Sequence, residues 1–362
     1  MKNSLFIVFV FIFTTYFAQK DSVWSKAPNL NFSGLVDVFY VYDFNQPNSN
    51  TRQEFFCNYN RHNEFNLNLA LFKVNLQHDK YRANLAFQAG TYSIDNYKSV
   101  PGLLKNIFEA NVGISLNKKN NLWLDAGIFA SHIGFESAIG MDNWTMTRSI
   151  LAENTPYYLN GVKLTYNPTQ KIEIAGIICN GWQRIQRLHG NSLPAFGTQF
   201  KYKANDNFSL NWSTFVSNEF SDDYRKMRYF NNFFAQLQLT KKWGIIAGFD
   251  IGNQQIAKSS KNYDSWYSPV IIAQYKMKEK WKLAARFEYY SDKNQVMIST
   301  ISDTPFKVLG YSLNADYSPI KNILCRLEAR MLTSEYDVFI RKNSTTYLNF
   351  FVGSSIAIKL EK

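Results

Sequence analysis

From Phe32 to Leu360 the chain alternates strictly between tight polar turns and long loops, a rhythm that a closed run of β-hairpins satisfies and a helical or α/β fold does not. The tight connections are His78-Asp79-Lys80, Asn117 to Asn120, Pro168 to Lys171, Ala204 to Asn207, Thr240-Lys241-Lys242, Met277 to Lys280 and Ser318 to Lys321. Between them lie long ones at 44–63, 92–105, 131–156, 182–195, 218–228, 254–265, 291–306 and 334–346. Fifteen connections that begin and end on a long one divide sixteen strands into eight hairpins. Outer-membrane barrels carry short turns on the periplasmic side and longer loops outside. The spacing therefore predicts an all-β fold, a transmembrane antiparallel up-and-down β-barrel of sixteen strands with both termini periplasmic. A count of fourteen stays open, because two stretches are irregular.

The N-terminus settles the compartment. Lys2, an apolar run from Leu5 to Phe13 and then Thr14 to Ala18 read as a secretory signal peptide over residues 1–18. Residues 19–29 then form a periplasmic segment and 30–362 a single barrel domain. Tyr16 is bulky for its place before a cut after Ala18, so the cleavage site stays open. Nothing later approaches the roughly 18 consecutive apolar residues of a membrane-crossing helix, and mean hydropathy is only −0.29. An inner-membrane helical bundle is excluded. The expected location is the outer membrane of a Gram-negative cell, with lipid and the barrel assembly machinery as partners. Three cysteines, Cys57, Cys179 and Cys325, make no even framework.

A strand between lipid and a wet lumen alternates apolar and polar residues, because successive side chains point to opposite faces. Phe32, Val36, Val38 and Tyr40 oppose Asn31, Ser33 and Asp37; Tyr81, Ala83, Leu85 and Phe87 oppose Arg82, Asn84 and Gln88. Leu348, Phe350, Val352, Ile356 and Ile358 keep one phase to the end. Aromatic residues reach 17% of the chain, and rings flank the tight turns: Tyr81, Phe208, Trp243 and Trp281 follow them, while Tyr166, Tyr202, Tyr275 and Tyr317 precede them. All eight are in phase with the apolar face, the placement of an interfacial girdle. The ring surplus is assigned to that belt rather than to a core. Phase changes between Phe65-Leu67-Leu69 and Phe72-Val74-Leu76, which predicts a bulge or a shifted register. Residues 172–178 are apolar on both faces, so a plug or loop is expected over the lumen there.

The net charge of +12 raises nucleic-acid binding only until the charges are located. Lysines crowd the tight turns and further basic residues lie in loops. On the faces assigned to the lumen, seven bases (Arg82, Lys163, Lys201, Lys282, Arg286, Arg326, Arg330) meet eight acids (Asp37, Glu109, Asp125, Glu173, Asp250, Glu288, Asp316, Glu328). The lumen is near balance, charges are expected to pair across neighbouring strands, and anion selectivity does not follow. No nucleic-acid partner is expected.

The longest loop, SHIGFESAIGMDNWTMTRSILAENTP at 131–156, is neither low in complexity nor rich in glycine. Asp142 is expected to cap a short helix over Asn143 to Ala152. Two placements stand equal: folded into the mouth, where Glu136, Asp142, Arg148 and Glu153 would constrict the pore, or packed outside as a cap. NRHNEFNLNLA (60–70), PGLLKNIFEANVGISL (101–116), LWLDAGIFASHIGFESAIGMDNWTMTRSILAENTPYY (122–158), and NGWQRIQR with PAFGTQ (180–199) resemble the β-barrel porin-2 (OmpL-like) family of outer-membrane proteins. The resemblance implies a membrane barrel with a porin role and carries over no substrate or functional residue. The ending Ile358-Lys359-Leu360-Glu361-Lys362 lacks the terminal aromatic of many outer-membrane barrels.

Chemistry finds little support. His62, His132 and His189 fall in loops and His78 in a turn; Ser131 and His132 are adjacent, so their side chains diverge. No two histidines or cysteines suggest shared metal ligation, and no GxxxxGK[ST] phosphate loop occurs. No enzyme activity, cofactor or metal is expected. A sixteen-stranded barrel leaves an aqueous lumen, so the expected function is passive diffusion of small hydrophilic solutes, with Arg82, Arg286, Arg326 and Arg330 on the pore wall. Two alternatives are kept. One is a substrate-specific channel in which Trp144, Trp182, Tyr157 and Tyr158 stack sugar rings, and the other is a non-conducting scaffold displaying its loops.

Overall fold

The computed structural model describes residues 26–301 and 303–361. The signal-peptide reading of 1–18, and most of the segment 19–29, lie outside the described residues. Sixteen antiparallel strands close into one barrel. They are β1 Asn29–Asp43, β2 Phe65–Gln77, β3 Tyr81–Ala89, β4 Ile107–Ser115, β5 Leu122–Ala130, β6 Tyr158–Thr169, β7 Ile172–Cys179 and β8 Ala195–Asn205. The second half comprises β9 Phe208–Asn218, β10 Met227–Gln238, β11 Trp243–Gln255, β12 Tyr263–Lys278, β13 Trp281–Asp292, β14 Phe306–Tyr317, β15 Ile323–Ser334 and β16 Leu348–Glu361. Each strand pairs with its chain neighbours, and β1 closes on β16 from Ser33↔Glu361 to Asp43↔Phe351. The fourteen-strand alternative is excluded. A small ribbon of Phe339–Arg341 with Ser344–Thr346 decorates the last long loop and stays outside the barrel sheet.

The two-residue alternation is realised as expected on β1, where Val36 and Val38 face outward and Asp37 is buried inside. The phase change on β2 is a bulge: Asp37 opposes Leu69 while Val38 opposes Leu67, leaving Asn68 as the extra residue. Its amide turns inward, donating to Asp37 Oδ2 at 3.1 Å and accepting from the Tyr59 backbone N–H at 3.0 Å. Rings beside the tight turns pair across strands, Trp243 on Tyr275 and Trp281 on Tyr317, both with centroids 4.7 Å apart. These contacts tile the interface where an apolar body and a polar tip are both satisfied.

The interior departs from the sequence reading. The eight girdle rings stay out of the core, but other rings of the aromatic surplus, which was set apart from any core, form one in the long-loop half of the barrel. Many inward side chains there are apolar (Val41, Phe129, Ile177, Phe215, Phe230, Leu332, Phe351), and the loops return apolar residues onto them (Phe55, Phe56, Ile133, Met146, Ile150, Phe339). Alternation cannot reveal such a region, because both strand faces are apolar, one against lipid and one against protein. The covering expected over 172–178 is present, with Ala175, Ile177 and Cys179 buried and Ile133 in the same cluster as Ile177.

Close packing in this core depends on Trp266, 1% exposed, whose ring lies where a Cβ on Gly252 would stand, 2.0 Å away. Gly252 and Trp266 are direct partners on β11 and β12. Gly252→Val is therefore expected to displace the indole and destabilise the barrel by about 1–3 kcal/mol, the usual cost of overpacking. Urea unfolding of the reconstituted protein measures this, and an unchanged midpoint would refute the packing account.

Candidate functional site

The long connection between β5 and β6 folds into the lumen. It leaves the long-loop rim at Ser131 and first lies against β8 and β9. There the His132 Nε2–H donates to the Thr214 carbonyl at 2.9 Å, and the His132 carbonyl accepts from Gln199 at 2.9 Å and Ser213 at 2.7 Å. The Gly134 N–H then donates to Asn232 on β10 at 3.0 Å. The loop descends until the Trp144 ring rests 2.7 Å from the Cβ position of Gly244, the residue after the girdle tryptophan Trp243. Wall glycines receive three loop side chains in this way: Gly197 takes His132, Gly248 takes Phe135 and Gly244 takes Trp144. Any larger residue would hold the loop off the wall.

At the far wall the loop backbone meets buried charge. Arg326 forks onto Asp316 at 2.8 and 2.9 Å and donates to the Gly140 and Asn143 carbonyls, both at 2.7 Å. On the return, the N–H groups of Met146, Thr147 and Ile150 donate to Asn314 at 3.0 Å, Glu328 at 2.6 Å and Glu288 at 2.7 Å. Arg286 donates to Glu328 at 2.9 Å and to the Thr147 carbonyl at 2.6 Å. Arg330 donates to Glu288 at 2.6 Å and to the Arg148 carbonyl at 2.9 Å. Buried ions are tolerated when they are paired and hydrogen-bonded. Here the loop backbone supplies the partners that water would otherwise provide.

This arrangement explains a local difference from the sequence reading. Asp142 closes a 3-10 turn, Gly140–Asp142, and caps no helix over 143–152. The backbone from 143 to 148 is held by wall side chains rather than by its own i to i−4 bonds. Only the single turn Ile150–Glu153 is helical, and its N-cap is Ser149, which accepts from the Ala152 N–H.

The candidate site residues divide accordingly. Arg286, Arg326, Arg330, Glu136 and Arg148 are buried where the loop meets its surroundings, and Glu153 is buried against the first long loop, accepting from the Cys57 N–H at 2.8 Å and the Asn58 amide at 3.2 Å. Glu136 accepts from the Ser149 N–H at 3.1 Å and stands 3.9 Å from Arg286. Arg148 donates to the Ala138 carbonyl at 3.1 Å and lies 4.2 Å over the Tyr157 ring. Asp142 is exposed near the short-turn end, 4.0 Å from Lys359. The four candidate stacking rings are engaged with protein. Trp182 meets Phe215 and Phe230 edge-on, Tyr158 stacks on Tyr97 at 4.2 Å, Tyr157 supports Arg148 and Trp144 fills the space over Gly244.

Arg82 belongs to a different environment. Along β2 to β8 a polar cavity of about 500 Å³ runs from Gln77 and Asn167 at the short-turn end to Ser131 and His132 above. Its wall carries three ion pairs: Lys73 to Glu109 at 2.6 Å, Arg82 forked onto Asp125 at 2.7 and 2.5 Å, and Lys201 to Glu173 at 3.1 Å. An amide chain links Asn75 to Asn84 at 2.7 Å and Asn84 to Asn111 at 2.9 Å, and Trp123 lies 4.3 Å beneath the Arg82 guanidinium. Lys73 and Asn75 were missing from the sequence-derived lumen face because the bulge at Asn68 reverses the phase of β2. Once that extra residue is allowed for, Lys73, Asn75 and Gln77 alternate inward.

The family model described as "Putative beta-barrel porin-2, OmpL-like" matches residues 29–360. No curated protein sequence matches the chain. Solved structures share the fold at low identity. The outer-membrane channel DcaP of Acinetobacter baumannii is similar at 12% identity and TM-score 0.62, covering 92% of this chain and 98% of that one. Salmonella typhi OmpF in complex with daunomycin is similar at 10% identity and TM-score 0.61, with 92% and 98% covered. Vibrio cholerae OmpT in its trimer form is similar at 9% identity and TM-score 0.58, with 92% and 100% covered.

Two measurements test how the loop is held. Glu328→Ala removes the acceptor of the Thr147 N–H and of Arg286, while Glu288 remains 3.2 Å from Arg286, and is expected to cost about 1–3 kcal/mol, the range for leaving buried donors unsatisfied. Amide exchange at Thr147 should accelerate; protection equal to wild type would contradict the anchoring role. Burial pushes the His132 imidazole down to about 4, and its Nδ1 is buried without a hydrogen-bond partner. The unfolded chain therefore takes up this proton first as pH falls. The stability tied to neutral His132 is complete above about 6.5 and declines between about 6.5 and about 4. His132→Gln should flatten that interval of the stability–pH curve, and an identical slope would exclude His132 as its source.

Proposed function

Because the chain belongs to the beta-barrel porin-2, OmpL-like family, we propose that this outer-membrane porin passes small hydrophilic solutes along the polar cavity of β2–β8, while the inward loop narrows the lumen. The carrying observation is the asymmetry of the interior. One side is packed with loop backbone and buried ion pairs, and the other keeps paired charges and amides around open volume. Solutes are then sorted by size and by their ability to replace water with wall hydrogen bonds, and no bond is made or broken.

In a planar bilayer, deleting 138–152 is expected to raise single-channel conductance several-fold, because the segment occupies lumen volume that ions would otherwise cross. An unchanged conductance would remove the loop from the pathway. A second reading draws on the apolar core in the long-loop half, where Phe56, Phe215, Phe230, Leu332 and Phe351 are all buried. Such filling suits a non-conducting scaffold that displays its loops, and silence of the wild-type protein in the bilayer would favour it.

A further inference from the structure

The lumen as a whole is close to charge balance, yet the cavity of β2–β8 is not. Four cations line it, Lys73, Arg82, Lys163 and Lys201, against three carboxylates, Glu109, Asp125 and Glu173. Lys163 stands directly opposite Asp125 in the β5–β6 register, the position at which a cross-strand ion pair forms most easily. Asp125 is already taken. Arg82, two strands away on β3, reaches across β4 and occupies both carboxylate oxygens. The reach is possible because the intervening residue of that row is Gly113, where a Cβ would lie 2.2 Å from Asp125 Oδ1. Glu109 and Glu173 are held by Lys73 and Lys201. Among the described residues, Lys163 is thus the cavity cation without a carboxylate in ion-pair range. Its ammonium is 5.0 Å from the centre of the Phe129 ring.

We propose that Lys163 is the anion-binding residue of this cavity and that the preferred solutes are small monoanions bearing hydroxyl groups, carboxylates above all. One surplus positive charge matches one negative charge. A dianion such as a phosphate ester would carry an unmatched charge past Glu109, Asp125 and Glu173. The Asn75–Asn84–Asn111 chain and Gln199 offer donors and acceptors to hydroxyls along the same cavity. The volume of about 500 Å³ lies within the range of small-molecule sites, about 300–1,000 Å³. The inference rests on the channel reading and adds the solute class to it.

Reversal potentials in a potassium chloride gradient, together with liposome flux of glucose and of gluconate, test it. Wild type is expected to prefer chloride and to pass gluconate in preference to glucose. Unit charges about 4 Å apart in water interact strongly enough to change relative permeation about fivefold. Lys163→Gln should lower the anion-to-cation ratio by about that factor, Lys163→Glu should invert the preference, and Lys163→Arg should keep it. Glucose flux should persist in all three, confirming that the barrel has formed. A wild-type channel that passes glucose but shows the same ratio as Lys163→Gln would overturn the anion site and leave the channel standing. A wild-type protein that passes neither solute nor ions would overturn both.

Discussion

Hydrocarbon offers no hydrogen-bond partner to a peptide group, so each strand that crosses it must be paired on both edges. That requirement closes β1 onto β16 and leaves an interior that lipid cannot reach. Everything distinctive about this protein lies in how that interior is filled. An empty sixteen-strand barrel would hold water throughout. Here the longest loop divides the enclosed space into a packed sector and a wet one, and each sector treats charge differently.

In the packed sector charge is structural. Arg286, Arg330, Glu288 and Glu328 are buried, and besides pairing with one another they exchange hydrogen bonds with the loop's own N–H and carbonyl groups. An irregular segment can be held this way because its backbone groups are free of the i to i−4 bonds a helix would consume. In the wet sector similar residues form cross-strand pairs beside open volume. Arg82 and Arg286 look alike in sequence, each an arginine on the inward face of a strand. Their roles diverge because only one wall is covered.

The barrel itself was legible in the sequence because lipid and turns impose local rules. Val36 and Val38 beside Asp37 announce a strand face, Trp243 and Tyr275 mark the interface, and the position of every tight turn followed from short polar stretches. The interior was less legible because it is set by contacts distant in sequence. Nothing near Ser149 reveals that residues 143–148 lend their backbone to strands more than a hundred residues later, so Asp142 looked the better cap. Both-sided apolar stretches such as 172–178 did signal a covering element, although not its identity. The bulge at Asn68 was visible as a break in phase, yet its consequence, the inward turn of Lys73, required the register.

The separation of the loop from its anchors also fixes an order of events during biogenesis. Thr147 and the carboxylate it donates to, Glu328, are 181 residues apart, and Met146 lies 168 residues before Asn314. The far-wall partners of the loop therefore do not exist in the growing chain until the last hairpins have been made. Until then Met146 and Thr147 have no far-wall acceptors to donate to. Docking of the loop is in this sense a report on completion, because the division of the lumen cannot be established before the final strands have taken their places in the wall.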